Sequence, residues 1–320
     1  MSKVPFLVSG ASSGLGGAVL ATLFKHVPDP AHLAAASSRP EAAEGLQREY
    51  PGTQFRVLDY NDAEQMVPAL TGVEKFFFVS SPEIDTLKRE RQHENAVAAA
   101  KRAGVGHVYY ASLAFGGYGS DSKVGVQQAH LTTERLLAES GLAYTAVRMG
   151  LYTEAFPLFT SWYPDSTTIY VSSDGPMALT SREELGEATA QLMLRDVRCF
   201  PHNIALLTAA RAYTLRDVVR AAAAASGQAV TVQTVARGDL PALLTAADAR
   251  AGRGRKSRQF FDAWAGVLDA LAAGEAATVD GLMAELLGRA PRDGLQHVGQ
   301  LVSEGAAAGG YRWHQSYMRR

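Results

Sequence analysis

The residues best suited to chemistry form a glycine-rich run directly after the first apolar segment. Residues 6–8 predict a buried strand and residues 18–24 predict a helix, so this run joins a strand to a helix N-terminus. At such a junction, free backbone N–H groups and the helix dipole bind the pyrophosphate of a dinucleotide. Glycines leave room for the tight turn and for the phosphate. The predicted cofactor-binding residues here are Gly10, Ser12, Ser13, Gly14, Leu15 and Gly16.

The segment after the second predicted strand indicates which nucleotide binds. Units that prefer NAD usually carry an acidic residue there, on the ribose 2′-hydroxyl. This chain has Ser38 and Arg39 instead, and a hydroxyl beside an arginine suits a 2′-phosphate. We therefore predict NADP(H), with a surface arginine that opens a loop as the alternative for Arg39. Asp59, which ends the third predicted strand, is a candidate for the adenine amino group or, equally, a turn or helix-capping aspartate.

Three serines are expected at the nicotinamide end of the cofactor. Ser80 and Ser81 follow the fourth predicted strand, and Ser112 ends the next one. Ligands of open α/β sheets bind at the carboxyl ends of the strands, where all three residues lie. The Ser112 hydroxyl suits a hydrogen bond to the substrate oxygen or to the nicotinamide ribose, and a cap of a helix or turn is the alternative.

The sequence offers few proton donors. Many dehydrogenases use a serine with a Tyr-x-x-x-Lys pair, and the nearest pair here is Tyr118 and Lys123. That spacing is one residue too long for a single helical turn, and glycines around Tyr118 predict a loop. Tyr118 is thus the single credible tyrosine acid. No histidine spacing matches a metal site, so no metal is predicted.

Aromatic side chains near these positions predict walls for a flat, aromatic or quinone-like substrate. Aromatic residues are also ordinary core residues, and that alternative stays open for each of them. The predicted substrate-contacting residues are Phe115, Tyr118, Tyr152 and Phe156.

The elements that position these residues alternate between strand and helix. This βαβ rhythm predicts an α/β fold, a doubly wound parallel sheet of the NAD(P)-binding Rossmann type. Glycines 104, 141 and 227 are predicted to end helices, and Ser181 with Glu184 has the spacing of a capping box. We predict an NADP-binding domain over residues 1–150. Residues 151–320 are predicted to form a smaller, mostly helical substrate lobe, with some strands returning to the main sheet.

Composition narrows the functional class. The 320 residues carry a net charge of −1, which provides no basic field for nucleic acid. Cys199 is the single cysteine, so neither a disulfide framework nor a cysteine-rich metal site is possible. No stretch reaches the length of a membrane span, and the expected location is the cytoplasm. We expect a monomer or a homodimer that acts on a small molecule.

The chain resembles the NmrA-like group of atypical short-chain dehydrogenases, near the NADPH:quinone oxidoreductase type 2 and isoflavone-reductase-like proteins. The segments that carry the resemblance lie, in order, at residues 10–16, 58–62, 78–82, 99–105, 108–113, 130–134, 141–145 and 148–154. The order of the series is its specific feature, and it covers roughly residues 1 to 160. The resemblance implies a helical C-terminal lobe that covers the cofactor cleft.

The resemblance also assigns a position to His130, which falls where isoflavone-reductase-like proteins carry an active-site lysine. A histidine there suits proton relay near neutral pH, with a structural helix histidine as the alternative. One motif departs from the group, whose turn usually reads Gly-x-x-Gly-x-x-Gly. The spacing of Gly10, Gly14 and Gly16 is instead that of the tyrosine-dependent dehydrogenases, although no clear Tyr-Lys pair follows.

These observations predict an NADPH-dependent reductase that transfers hydride to a quinone, enone or ketone, with His130 assisting protonation and Ser112 orienting the substrate. Two alternatives remain. One is a redox sensor that binds NADP without turnover and regulates a protein partner, a role also known in the NmrA-like group. The other is a non-redox isomerase that retains NADP.

Overall fold

A sheet of seven parallel strands forms the centre of the protein, in a computed structural model that describes residues 4–83, 85–195, 200–250 and 256–307. The strands of the described residues are β1 Val4–Val8, β2 Leu33–Ser37, β3 Gln54–Val57, β4 Val73–Phe78, β5 His107–Leu113, β6 Tyr144–Met149, β7 Leu151–Tyr152, β8 Thr168–Val171, β9 Met177–Thr180, β10 Ile204–Leu207, β11 Ala212–Tyr213 and β12 Thr231–Thr234.

Helices of very different length connect these strands. The α-helices of the described residues are α1 Gly14–His26, α2 Ala42–Glu49, α3 Ala63–Leu70, α4 Thr86–Ala103, α5 Gly125–Ser140, α6 Phe156–Thr160, α7 Arg182–Leu194, α8 Leu215–Ser226, α9 Leu240–Arg250, α10 Arg258–Ala272, α11 Leu282–Leu287 and α12 Gly294–Ala307. Short 3₁₀ helices cover Pro30–His32, Thr153–Ala155 and Pro201–Asn203. None of the helices in the described ranges is long and apolar enough to cross a membrane.

The main sheet has the order β10-β6-β5-β4-β1-β2-β3, and all its neighbours are parallel. The chain runs outward from β1 in one direction, then returns and runs outward from β4 in the other. Leu7 of β1 is in register with Ala34 of β2 on one side and with Phe76 of β4 on the other. This reversal confirms the predicted doubly wound sheet and places the ligand crevice at the carboxyl ends of β1 and β4.

Both faces of the sheet are buried, as the continuous apolar run in β4 predicts. Side chains alternate along a strand, so Phe77 packs on one face and Phe76 and Phe78 pack on the other. Helices α1 and α7 cover the Phe77 face, and α4 and α5 cover the opposite face. The helices that follow β4 and β5 therefore lie side by side, which matters for the site.

The second half of the chain builds a separate apolar cluster. Two small sheets, β11-β9-β7 and β12-β8, pack with α8, α9, α10 and α12 around large buried side chains. Helices α9, α10, α11 and α12 account for most of the described residues after 239, and β10 returns to the main sheet beside β6. Strands β8 and β9 were not predicted, because each has four residues and a weak pattern.

The predicted helix ends are observed, whereas the predicted capping box is not. Gly104, Gly141 and Gly227 end α4, α5 and α8 in the left-handed conformation, with φ of 69°, 78° and 69°. The capping box predicted at the start of α7 is wrong. The Ser181 hydroxyl makes no cap hydrogen bond, and the carboxylate of Glu184 is engaged elsewhere, by Arg289 and by the backbone N–H of Arg292.

Candidate functional site

The glycine-rich turn is an open backbone cradle at the carboxyl end of β1. Gly10 and Gly14 both have φ of 61°, a conformation that favours glycine. A Cβ on Gly16 would overlap the carbonyl oxygen of Ser9, so this position accepts only glycine if α1 is to pack closely on β1. Helix α1 has no acidic residue in its first turn, and Ser13 gives it no side-chain cap. Its N-terminal N–H groups are therefore available to an anion.

Ser9 anchors this turn from below. Its hydroxyl donates to the carbonyl of Phe77 at 3.0 Å and accepts from the backbone N–H of Val79 at 2.9 Å. The Tyr60 hydroxyl lies 2.8 Å from the same oxygen and 2.9 Å from the carbonyl of Val79. These bonds join the ends of β1 and β4 to the segment after β3, so the crevice has a fixed floor.

Arg39 reaches back from the end of β2 to the glycine-rich turn. Its Nη2 donates to Ser12 Oγ at 3.0 Å, and its backbone N–H donates to Ser37 Oγ at 3.2 Å. Within the described part of the chain, Arg39 makes no ion pair, and both it and Ser38 are exposed. The structure thus brings the residues predicted for a 2′-phosphate together beside the turn, with an unneutralised cation among them.

Asp59 lies at the same edge of the sheet, and its carboxylate accepts hydrogen bonds from a residue close to it in the chain. Its Oδ1 accepts from the backbone N–H of Asn61 at 2.9 Å and from the Asn61 side chain at 2.8 Å. This is an Asx turn, the alternative that the sequence left open. A second interaction with the adenine ring stays a prediction.

Sequence reasoning missed Arg182, the first residue of α7. Helix α7 packs closely on α1 because Gly186 faces Ala18, where a Cβ would overlap. This approach brings Arg182 Nη1 to 3.9 Å from the position of a Cβ on Gly14. A second guanidinium therefore lies at the phosphate turn, and no local signal identifies it, since 168 positions of sequence separate the two residues.

The serines after β4 belong to a buried hydrogen-bond network. The N–H of Ser81 donates to His93 Nε2 at 2.9 Å, and His93 Nδ1 lies 2.7 Å from Thr133 Oγ1 on α5. Because Nε2 accepts, the neutral ring carries its proton on Nδ1. Burial, assisted by the charge of Arg89, lowers the pKa of His93 to about 3. Ser80 Oγ lies 3.4 Å from the same Nε2, so both serines are held at the edge of the crevice.

The Ser112 hydroxyl donates a hydrogen bond to the carboxylate of Glu134. Its Oγ lies 2.5 Å from Glu134 Oε1, and Arg148 forms a two-bond pair with the same carboxylate at 3.0 and 2.7 Å. Arg148 Nη1 also donates to the carbonyls of Gly117 and Gly119. Contact of the Ser112 hydroxyl with a ligand stays a prediction, while Arg148 fixes the loop over the end of β5.

His130 lies one helical turn from Glu134, against Tyr110. Its Nδ1 is 2.8 Å from the Tyr110 hydroxyl, and the Tyr110 ring lies between His130 and His93 with centroids 5.8 Å from each. Burial lowers the pKa of His130 well below its usual value, and the charge of Arg89 lowers it further. His130 lies on α5 against Tyr110 of β5, and its lowered pKa favours the neutral ring. Its role in proton transfer stays a prediction.

Tyr118 lies apart from this group. Its side chain is 41% exposed and its hydroxyl donates to Asp280 at 2.8 Å. Partial burial and the Asp280 carboxylate raise the pKa of Tyr118 to about 12. Both Tyr118 and Lys123 precede α5, which begins at Gly125. Tyr118 and Lys123 therefore do not form a Tyr-Lys pair on one helix, as their spacing indicated.

The predicted aromatic walls have different environments. Phe115 and Phe156 are 2% and 0% exposed and fill the apolar cluster of the second half, so they offer no open ring face in this structure. Tyr152 is partly buried and packs against the α1 face of the sheet. Contact of any of them with a substrate stays a prediction. The described residues contain no group of three or more side chains suited to a metal ion.

The sheet reversal, the glycine turn on α1 and the basic residues beside it define a Rossmann-type nucleotide-binding fold. The chain belongs to the NmrA-like family, whose sequence profile matches residues 2–253. The family resemblance is thereby confirmed.

Relatives with named activities share this family and fold. The chain is 41% identical over 317 residues to the NmrA-like family domain-containing oxidoreductase flvB of Aspergillus flavus, covering 98% of this chain and 99% of that protein. It is 31% identical over 238 residues to quinone oxidoreductase 2 of Escherichia coli, covering 74% and 80%. The crystal structure of Citrobacter sp. triphenylmethane reductase complexed with NADP(H) has a TM-score of 0.78 and 27% identity, covering 92% and 99%.

Proposed function

We propose that this protein is an NADPH-dependent reductase that transfers hydride to a quinone or another conjugated carbonyl compound. In this proposal, residues 1–150 carry the cofactor and residues 151–320 carry most of the substrate lobe. The relatives support an oxidoreductase, since flvB and the Escherichia coli quinone oxidoreductase both carry that name. The choice of cofactor rests on this chain's own residues, and the choice of a quinone as acceptor rests on the name of the Escherichia coli relative.

The contact between Arg39 and Ser12 is the observation that carries the proposal. A guanidinium and a hydroxyl 3.0 Å apart, exposed beside the phosphate turn, form a two-point site for a 2′-phosphate. The turn itself fits a pyrophosphate, because Gly10, Gly14 and Gly16 leave its backbone uncovered. Arg182 supports the same phosphates from α7. The residues present therefore fit NADP(H), and when bound this cofactor supplies the hydride.

The nicotinamide end is assigned to the edge formed by β4 and β5. Ser80 and Ser81 follow the carboxyl end of β4, and Ser112 lies near the carboxyl end of β5, where its hydroxyl donates to Glu134. His130 is a neutral group that holds Tyr110 in place, so it exchanges a proton only through the hydroxyl it touches. In this reading Ser112 orients the substrate, and the Tyr110–His130 pair is the nearest protein route for a proton.

Cofactor oxidation with a set of acceptors tests the proposal. NADPH and NADH are each mixed with the protein and with simple benzoquinones, naphthoquinones and enones, and absorbance of the reduced nicotinamide is followed. We expect turnover with NADPH and much slower turnover with NADH. Faster reaction with NADH contradicts the cofactor assignment, and binding of NADPH without oxidation by any acceptor contradicts the reductase.

A redox sensor is the second candidate, and one observation favours it. The two side chains predicted as proton donors are both unsuited to give a proton at neutral pH, because His130 is neutral and the pKa of Tyr118 is raised. A protein that binds NADP(H) without turnover needs no donor. A sensor is expected to bind both NADP⁺ and NADPH tightly. Its affinity for a protein partner is then expected to differ between the NADP⁺-bound and the NADPH-bound form.

A further inference from the structure

Arg89 is a charged side chain near the crevice that none of the preceding assignments uses. It lies in the first turns of α4 and is partly buried, and its Nε is fully buried without a hydrogen-bond partner. Across the ranges that the structure describes, its guanidinium makes neither a hydrogen bond nor an ion pair. A buried guanidinium nitrogen without a partner carries a desolvation cost, and a ligand that accepts its hydrogen bond removes that cost.

The position of Arg89 on α4 places it at the ligand edge of the sheet. Helix α4 begins at Thr86, directly after the carboxyl end of β4. Arg89 and His93 are four residues apart and share one helix face, with Arg89 the nearer to the helix start. His93 bonds Ser81, which borders the crevice. Arg89 therefore lies one turn closer to the open edge than a residue that already touches the site.

Arg89 brings a positive charge to a group of neutral rings, those of His93, Tyr110 and His130. Its charge lowers the pKa of His93 and of His130, so it is electrostatically close to both rings. Glu134, a carboxylate on the neighbouring helix α5, is already paired with Arg148. The field of Arg89 in this part of the crevice is thus left for a ligand.

We propose that Arg89 binds the substrate oxygen that becomes an anion during reduction. The inference rests on the proposed function and narrows its substrates to acceptors whose oxygen gains negative charge, such as quinones and enones. A neutral acceptor that receives a hydride gains one bond to hydrogen and one negative charge on oxygen, while the nicotinamide is oxidised. One proton from solvent then gives the neutral reduced product. Arg89 stabilises the anion before that proton arrives.

Variants at Arg89 test this role through kinetics. Loss of one such donor typically lowers turnover by about 100-fold or more, so Arg89→Met is expected to lower kcat with a quinone by that factor. Arg89→Lys keeps a charge and is expected to lose less. Guanidinium ion added to Arg89→Ala is expected to restore part of the activity. Arg91→Met, at an exposed position two residues further on, is the matched control and is expected to be unchanged.

A binding measurement tests the same role without turnover. The phenolate of 4-nitrophenol resembles the reduced oxyanion and absorbs visible light when ionised. Bound to the protein with NADP⁺, it is expected to ionise at lower pH than in water, and this shift is expected to vanish in Arg89→Met while Arg91→Met retains it. Thermal unfolding of each variant checks the fold.

The outcomes separate this inference from the proposed function. An unshifted phenol in the wild-type protein, or an Arg89→Met variant with full activity, overturns the role of Arg89. A parallel loss of NADPH affinity in Arg89→Met also overturns it, because Arg89 is then a cofactor ligand. If the wild-type protein reduces no acceptor, the proposed function fails, and the phenol titration still decides whether Arg89 binds an oxyanion.

Discussion

Replacing Arg39 with alanine tests how this protein selects its cofactor. The guanidinium makes one hydrogen bond, to Ser12, and no ion pair with another described residue, so a 2′-phosphate displaces no existing partner. A hydrogen bond to a charged group contributes about 1.5–3 kcal/mol. Because Arg39 is exposed, screening by solvent favours the lower end of that range. We therefore expect Arg39→Ala to weaken NADPH binding by about tenfold, at about 1.4 kcal/mol per factor of ten.

Fluorescence titration of the reduced nicotinamide measures this effect. NADPH and NADH are titrated against the wild-type protein, Arg39→Ala and Arg48→Ala. Arg48 is an exposed arginine on α2 that pairs with Glu44, and its variant is the matched control. We expect the preference for NADPH over NADH to be smaller in Arg39→Ala, because NADPH binds more weakly and NADH binding is unchanged. In the wild-type protein, we expect added salt to reduce the same preference. Equal losses for both cofactors would refute the reasoning, because NADH has no 2′-phosphate.

Three other predictions concern the phosphate turn and the buried histidines. Arg182→Ala is expected to lower the affinity for NADPH and for NADH by about tenfold in a titration at low salt, because both cofactors carry the pyrophosphate. Gly16→Ala is expected to lower the free energy of unfolding by about 1–3 kcal/mol in urea, because its methyl group overlaps the Ser9 carbonyl. Stability is expected to fall as pH drops from about 7 to 5, by about 2 kcal/mol for each of His93 and His130. The unfolded chain binds protons below its histidine pKa of 6.5, whereas the buried rings, with lowered pKa, do not.

Each of these predictions has a control and a contradicting result. Glu183→Ala, exposed in the same turn as Arg182, is expected to leave cofactor affinity unchanged, and an effect of Arg182→Ala on NADPH but not NADH would contradict its role. Gly17→Ala has ordinary contact distances and is the control for Gly16. Stability that stays constant between pH 7 and 5, or a His93→Gln variant that is as acid-sensitive as the wild type, would show that the rings titrate normally in the folded protein.

The sequence predicts those features that short stretches of chain determine. The apolar run at Phe76–Phe78 and the glycine at position 10 act through neighbouring residues, so strand and turn follow from local rules. The pairing of Arg39 with Ser12 was also foreseeable, because adjacent parallel strands end at the same edge. The doubly wound parallel sheet follows from the alternation of strands and helices, although the order of its strands was not predicted.

The remaining features depend on residues that meet only after folding. Arg182 reaches the phosphate turn because Gly186 allows two helices to touch, and neither residue carries a local signal for that contact. The capping-box prediction failed for the same reason, since Glu184 finds a stronger partner in Arg289, 105 positions away. The site role of His130 stays a prediction, and its lowered pKa depends on burial and on the charge of Arg89, which spacing does not reveal.

Arg148 holds the loop at residues 117–119 by its main-chain carbonyls, not by its side chains. Every amino acid supplies a carbonyl, so the loop keeps its place whichever residue stands at its tip. The side chain at position 118 is therefore free to vary in the course of evolution without loosening the framework beneath it. A single buried arginine in this way fixes the course of the loop independently of the side chain at position 118.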